Sequence, residues 1–478
     1  MTRPNILLVV LDSVRAKNTG LYGYHRETTP FLSAYSSNAT VYEQARTSGI
    51  HSVASHASMW TGVHVESHNV IRHEDELESG TTIWESLTEE DYETGIFTTN
   101  PVVSHASNLA EPFDVSVIDS YEDTTSKLFP EAHGPADVVT HEGISGNLKR
   151  SFADDHTAKA LLNSVHHFVK QQRDDLSESL TSPDLVDEFT EGQSSVDGPW
   201  AACINMMDAH FPYEPAPEHD QWGGEPLREL HAELDRPPAN AFVQDRPWWQ
   251  LEAFEHLYDG TIRELDTYVE RIVTALKESG VHDETLVVIT SDHGEGFGEL
   301  SRINGRTRAV DHSWGIHEVV THVPLVVKYP GQTSAERVDD PVSLAAFPDA
   351  VEAALDGVDR RDTFLSDRPV VSTTWRLRQE DDGIFEDSKE DPNDYYGPWR
   401  AVYEPAEEGV YKYAQHGEGD GATVQIRSAG DACRVGSGDP DRLQSAFEKI
   451  EASDVKKSDT GDLDTEVEET LTDLGYLR

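Results

Sequence analysis

Two runs of apolar residues end abruptly in acidic groups: Ile6-Leu-Leu-Val-Val-Leu-Asp12 and Leu286-Val-Val-Ile-Thr-Ser-Asp-His293. A strand buried on both faces reads as unbroken Val, Ile and Leu, the pattern of parallel sheets covered by helices. Ligands in open α/β sheets bind just beyond the carboxyl ends of such strands. The chain is therefore expected to be an α/β protein with Asp12, Asp292 and His293 delivered to one edge. A third segment, Ser52-Val-Ala-Ser-His-Ala-Ser-Met-Trp-Thr-Gly62, adds a hydroxyl at Ser52. Two carboxylates, an imidazole and a hydroxyl make a metal-plus-nucleophile set, suited to hydrolysis or transfer at a charged ester.

Composition narrows the partners. The chain carries 89 acidic against 38 basic residues, a net charge of −51 over 478 residues. Acid this dense resists a phosphate backbone, so nucleic acid is excluded as a partner. The acidic residues run along the whole chain, which points to adaptation to a high-salt environment that screens self-repulsion. Cys203 and Cys433 are the two cysteines and make no disulfide framework. No apolar stretch reaches the roughly eighteen residues a membrane span needs. The first strand begins almost at Met1 with no signal peptide ahead of it, so a cytoplasmic location is expected.

Along the chain, helices are expected from Thr28 towards Asn38 and from Ala57, with Ser52 in a loop before the latter. Apolar positions spaced for helical faces occur at 155–172 and 262–276. Residues 173–198 read as an acidic surface loop, 214–250 as a Pro- and Trp-rich loop, and 331–395 as an acidic linker-like stretch. Trp399–Tyr403 and Tyr411–Tyr413 read as an antiparallel strand pair, and Ile450–Arg478 as a weakly amphipathic end. The expected division is a catalytic domain over 1–370 and a smaller α+β subdomain over 371–478. Trp60, Trp222 and Trp314 are candidates for stacking on a sugar ring or for the core.

These motifs together resemble the sulfatases of the alkaline phosphatase superfamily. The series stands in family order: Pro4-Asn5, Leu21-Tyr-Gly-Tyr, Thr29-Pro30, the segment closing on Thr61-Gly62, Asp208-Ala-His-Phe-Pro-Tyr213, Ser291-Asp-His-Gly-Glu295, and His312 ahead of Val323-Pro-Leu325. The resemblance implies a mostly parallel central sheet sandwiched by helices, with a small C-terminal subdomain. It implies one divalent cation on Asp12, Ser52, Asp292 and His293; the oxygen-rich donors suit Ca, Mg or Mn better than Zn. It makes Ser52 the nucleophile, as a hydroxyl or oxidised to formylglycine. His210 is placed at the sulfate or the leaving oxygen and His312 at the transferred group, and both imidazoles serve catalysis and substrate binding. His56 stands where the family signature has Arg and is a further substrate-binding candidate.

The implied substrate is a small-molecule or glycan ester, with a sulfate as the cleaved group. Three departures favour a phosphoester hydrolase or phosphoglycerol-type transferase instead: Ser13 where a second Asp is common, His56 for Arg, and serine at position 52. A second metal on Asp208, His210 and His312 does not meet the family spacing. His317 and His322 precede the core run Val323-Pro-Leu-Val-Val and are assigned to packing.

Overall fold

The computed structural model describes residues 3–118, 180–196, 198–234, 237–357, 362–377, 383–385 and 388–458. The strands in chain order are β1 (Asn5–Leu11), β2 (Thr40–Arg46), β3 (Glu93–Thr98), β4 (Val115–Ile118), β5 (Trp200–Met206), β6 (Thr285–Thr290), β7 (Phe297–Leu300), β8 (Arg308–Val310), β9 (Leu325–Lys328) and β10 (Glu336–Ser343). They are followed by β11 (Val370–Thr374), β12 (Trp399–Pro405), β13 (Val410–His416), β14 (Gly421–Ser428) and β15 (Asp431–Ser437).

An eight-stranded sheet runs β10-β2-β9-β6-β1-β5-β3-β4. Its pairs are parallel except at β9, which lies antiparallel between β2 and β6. Side chains of β1 alternate between two cores. Leu7, Val9 and Leu11 join one core with the helix Trp248–Glu278, while Ile6, Leu8 and Val10 join the other with Trp60, Trp84 and Phe347. Both faces are covered, which is why β1 and β6 carry no polar alternation. This is the expected α/β sandwich.

Several local expectations are corrected. Residues 262–276 lie within a helix that begins fourteen residues earlier, at Trp248, and spans 31 residues. Asp259 and Gly260 broke the apolar stripe in the sequence, but each is buried for a reason. Asp259 accepts hydrogen bonds from Asn18, Tyr24 and Arg26, and a Cβ at Gly260 would come within 2.9 Å of Pro215. The acidic stretch 173–198 contains the helix Ser182–Ser195, started by a Thr181–Asp184 capping box and buried through Leu185, Val186 and Phe189.

The loop 214–250 contains helices Glu225–Ala232 and Pro238–Gln244 as well as the start of the long helix. The linker-like stretch 331–395 supplies β10, the helix Phe347–Leu355 and β11. β10 is an edge strand with an irregularity before Pro341, so its alternation was weak. The helical face expected at 155–172 lies outside the described residues, as does 459–478.

β11 to β15 form a five-stranded antiparallel sheet that contains the expected Trp399–Tyr403 and Tyr411–Tyr413 pair. A buried ion pair ties it to the main body. Lys412 of β13 reaches Glu318 at 2.6 Å and also donates to the Ile316 carbonyl. Breaking a buried pair from one side leaves an uncompensated charge, so Lys412→Met should cost about 3–5 kcal/mol. Burial alone would raise the Glu318 pKa, but Lys412 and then Arg46 hold it below the ordinary carboxylate value. A depressed carboxylate contributes stability above its unfolded pKa, about 4.3, and loses it as pH falls through the folded value. Denaturant unfolding at pH 7 and pH 4 should show that acid loss shrinking in Lys412→Met, where the remaining partner is Arg46 at 3.9 Å.

Candidate active site

Asp12 directly follows β1, and Ser291, Asp292 and His293 directly follow β6, so two adjacent strands deliver three donors to one edge. All three side chains are fully buried, and one ligand atom from each lies within 4.8 Å of the others. Among the described residues this is the set of His, Cys, Asp and Glu with metal-holding geometry. The chain turns sharply after Asp12, because Ser13 has φ +64°, a left-handed conformation costing a non-glycine residue about 1–3 kcal/mol. Tyr258 fixes that turn by donating to the Ser13 carbonyl at 2.8 Å and accepting from the Arg15 N–H at 3.0 Å. The Ser13 hydroxyl in turn donates to Asp12 Oδ1 at 3.0 Å. Where a second carboxylate would add charge, this serine adds a donor.

The charge state of this cluster fits a cation. Burial, then Asp292, raises the Asp12 pKa, and burial also raises that of Asp292. Burial lowers His293 to about 4, so the ring is neutral at pH 7. Its Nδ1 lies 3.0 Å from the Gly294 carbonyl, which assigns the proton there and leaves the Nε2 lone pair facing both carboxylates. That Nε2 and Asp292 Oδ2 are buried without a hydrogen-bond partner. Two carboxylate groups and a lone pair converging in a buried pocket repel one another unless they share a positive ion. The residues fit a divalent metal.

Ser52 opens the helix Ser52–Thr61. It was expected in a loop, with the helix starting at Ala57; because every residue from Ser52 to Trp60 is buried, the segment has no amphipathic periodicity to mark its start. At the first turn the hydroxyl lies at the positive end of the helix dipole. Its Oγ is 3.4 Å from Asp12 Oδ2. Asn100 bridges the two, with Nδ2 donating to Asp12 Oδ2 at 2.8 Å and to Ser52 Oγ at 3.1 Å.

One helical turn after Ser52, His56 is tied at both ring nitrogens: Nδ1 to the Ser52 carbonyl at 2.8 Å and Nε2 to the Asn205 amide at 3.1 Å. Its Nδ1 is also 3.8 Å from Asp292 Oδ2. The structure thus sets His56 between the Ser52 carbonyl, Asn205 and Asp292.

On the other side of His293 the imidazoles form a row. The His312 ring centroid lies 4.2 Å from that of His293 and 5.1 Å from that of His210. His312 Nδ1 is 3.7 Å from the buried Glu295 Oε2. Asp208, two residues before His210, turns instead to Ser182, so it is not part of this cluster. Burial holds Asp208 up at about 6. His317 and His322 are buried as assigned, the latter bonded to the Glu43 carbonyl at 2.8 Å. Trp60 and Trp314 are core residues, while Trp222 lies under the Arg26 guanidinium.

Sequence reasoning did not single out Asn100, which bridges Asp12 and Ser52, Glu295, which lies beside His312, or His51. Asn100 was findable: Ile96-Phe-Thr-Thr-Asn100 is another apolar run closed by a polar group at a strand end. His51 directly precedes Ser52 as the N-cap of its helix.

A family model described as Sulfatase matches residues 4–357. The chain belongs to the sulfatase family. Among curated relatives it is 24% identical over 364 residues to arylsulfatase K of Canis lupus familiaris, covering 73% of this chain and 63% of that protein. It is also 24% identical over 375 residues to an arylsulfatase of Clostridium perfringens, covering 69% of each. The chain thus spans under two thirds of the length of the arylsulfatase K that it matches. Among solved structures, the phosphonate monoester hydrolase of Agrobacterium radiobacter aligns with a TM-score of 0.56 at 16% identity, covering 93% of this chain and 91% of that one. At that identity the likeness concerns the fold.

Proposed function

We propose that this chain hydrolyses a sulfate ester by nucleophilic attack from Ser52, with Asp12, Asp292, His293 and Ser52 holding one divalent cation. The observation that carries this reading is the pair of buried, unbonded ligand atoms, Asp292 Oδ2 and His293 Nε2, facing Asp12 beside the Ser52 hydroxyl. A bound divalent cation would polarise the ester and balance the two carboxylates. The protein's own groups do the rest. Asn100 and the helix start orient the Ser52 oxygen, and His56 with Asn205 holds the helix against Asp292. His210 and His312, in a row beside His293, would donate hydrogen bonds that stabilise charge on the leaving oxygen and on the transferred group. The family and its arylsulfatase relatives support sulfate as the transferred group, carried on a small molecule or glycan.

A second reading, a phosphoester hydrolase or transferase, is favoured by Ser13 in place of a carboxylate and by the phosphonate monoester hydrolase fold match. The state of Ser52 separates the two. A serine sulfate ester is slow to hydrolyse, whereas formylglycine expels sulfate by elimination. Peptide mass spectrometry of the Ser52 segment from the native host should show loss of two hydrogens if the sulfatase reading holds. An intact serine would overturn it in favour of phosphoester chemistry.

A further inference from the structure

The loop that follows the Ser52 helix folds back along it and grips it at two points. At the start of the helix, His51 is the N-cap residue, and its Nε2 donates to the Ile71 carbonyl at 2.9 Å. Further along, the Val70 N–H donates to His68 Nδ1 at 2.9 Å, which leaves the proton on Nε2 to be donated to Ser58 Oγ, also at 2.9 Å. His51, Ser58 and His68 are all buried. The position of Ser52 therefore depends on where residues 68–71 lie.

Asp75 fixes that stretch. Its Oδ2 accepts the Ile71 N–H at 2.8 Å and the Arg72 N–H at 2.9 Å, shaping the turn that carries the Ile71 carbonyl. Asp75 is 3% exposed, and a buried carboxylate needs a cation or several donors of its own. The cation comes from 381 residues further along the chain, where Lys456 donates to Asp75 Oδ1. The same ammonium donates to the Asn69 carbonyl at 3.0 Å, and Asn69 closes the helix Val65–His68 in a left-handed turn with φ +53°. One lysine thus ties together the two turns that flank Ile71. The backbone beside it is paired with the same loop: the Glu78 N–H donates to the Val455 carbonyl at 2.8 Å, and the Lys457 N–H to the Glu76 carbonyl at 2.9 Å.

We propose that Lys456 is a positioning residue for the reaction. Through Asp75, Ile71 and His51 it holds the first turn of the helix where the Ser52 oxygen faces Asp12, 3.4 Å away. This rests on the reading of Ser52 as the nucleophile. A reacting group displaced by about 1 Å can cost about 10²-fold in rate. The relay ends on the helix and not on the ester, so its loss falls on kcat rather than on KM.

The test compares wild type, Lys456→Met, Lys456→Arg and Lys457→Met at high salt with added Mn or Mg. Steady-state rates are measured on p-nitrophenyl sulfate and p-nitrophenyl phosphate, and amide hydrogen exchange over residues 52–61 is followed by mass spectrometry. Lys456→Met should lower kcat about 10- to 100-fold with KM within about 2-fold, and exchange in the first turn of the helix should rise. Lys456→Arg, which keeps the charge, should recover most of both. Lys457→Met is the control: its ammonium pairs with the partly exposed Glu76 of the same loop, and its loss should leave rate and exchange within about 2-fold of wild type. If Lys456→Met fails to fold because it strands the Asp75 charge, the double variant Lys456→Met/Asp75→Asn removes that charge and should show the same fall in kcat. An unchanged kcat, a loss confined to KM, or equal losses in Lys456→Met and Lys457→Met would overturn the proposal while leaving ester hydrolysis standing. Turnover of neither ester by wild type would overturn the reading of Ser52 itself, and unchanged exchange over 52–61 in Lys456→Met would overturn the proposal whether or not the esters are turned over.

Discussion

Asp292→Asn is expected to lower turnover by at least about 10³-fold while leaving the chelated protein as stable as wild type or more so. The two effects separate because Asp292 does two things. As a carboxylate it is one of three buried groups positioned for a cation, and its Oδ2 bonds nothing in the protein. As a shape it accepts the His293 N–H at 3.0 Å and the Ser13 N–H at 3.4 Å through Oδ1. Asparagine keeps that acceptor and the volume. What it removes is a charge whose burial is costly and which also raises the Asp12 pKa. Wild type should therefore melt several degrees lower after chelation, since an ion that binds the folded state alone stabilises by mass action. Asp292→Asn should show little difference with and without chelator. Paired melting curves and steady-state rates check both halves; a chelated variant much less stable than chelated wild type would mean that Asp292 is a structural carboxylate.

Ser52→Ala is expected to cost about 10⁴-fold or more in turnover with almost no change in melting temperature. Removing a nucleophile removes the covalent route altogether. Structurally the change is small: Asn100 Nδ2 loses its 3.1 Å acceptor but keeps Asp12 at 2.8 Å, and alanine suits the helix start well enough. The net cost of one such hydrogen bond is about 1 kcal/mol. Because Ser52 also belongs to the proposed metal set, the same variant should hold the cation more weakly, measurable as a higher metal concentration at half-stabilisation. A variant that keeps even a tenth of wild-type turnover would leave Ser52 a ligand or a helix start and move the attack to a water.

Which parts of this site the sequence could reveal follows from how local each signal is. Asp12 and Asp292-His293 stood out because burial on both faces forces the strand interior to be apolar, so its polar end is conspicuous. Asn100 obeys the same rule at the end of β3 but is preceded by two threonines, which blur the boundary. Ser52 was legible as a residue and not as a helix start, since a wholly buried helix shows no amphipathic face. The long helix was half legible: Asp259 and Gly260 interrupt its stripe, and both are explained only by partners far along the chain, Arg26 and Pro215. For His56 the motif suggested the substrate, and only the fold shows its two nitrogens against the Ser52 carbonyl and the Asn205 amide.

The most direct test is metal removal and return, followed by turnover of an aryl sulfate and an aryl phosphate side by side at high salt. The expected result is that chelated protein is inactive on both, that about one equivalent of a divalent cation restores turnover of one of them, and that Ser52→Ala stays inactive throughout. Full activity in the chelated protein would contradict a cation held by Asp12, Asp292 and His293, and with it the chemistry assigned to this site.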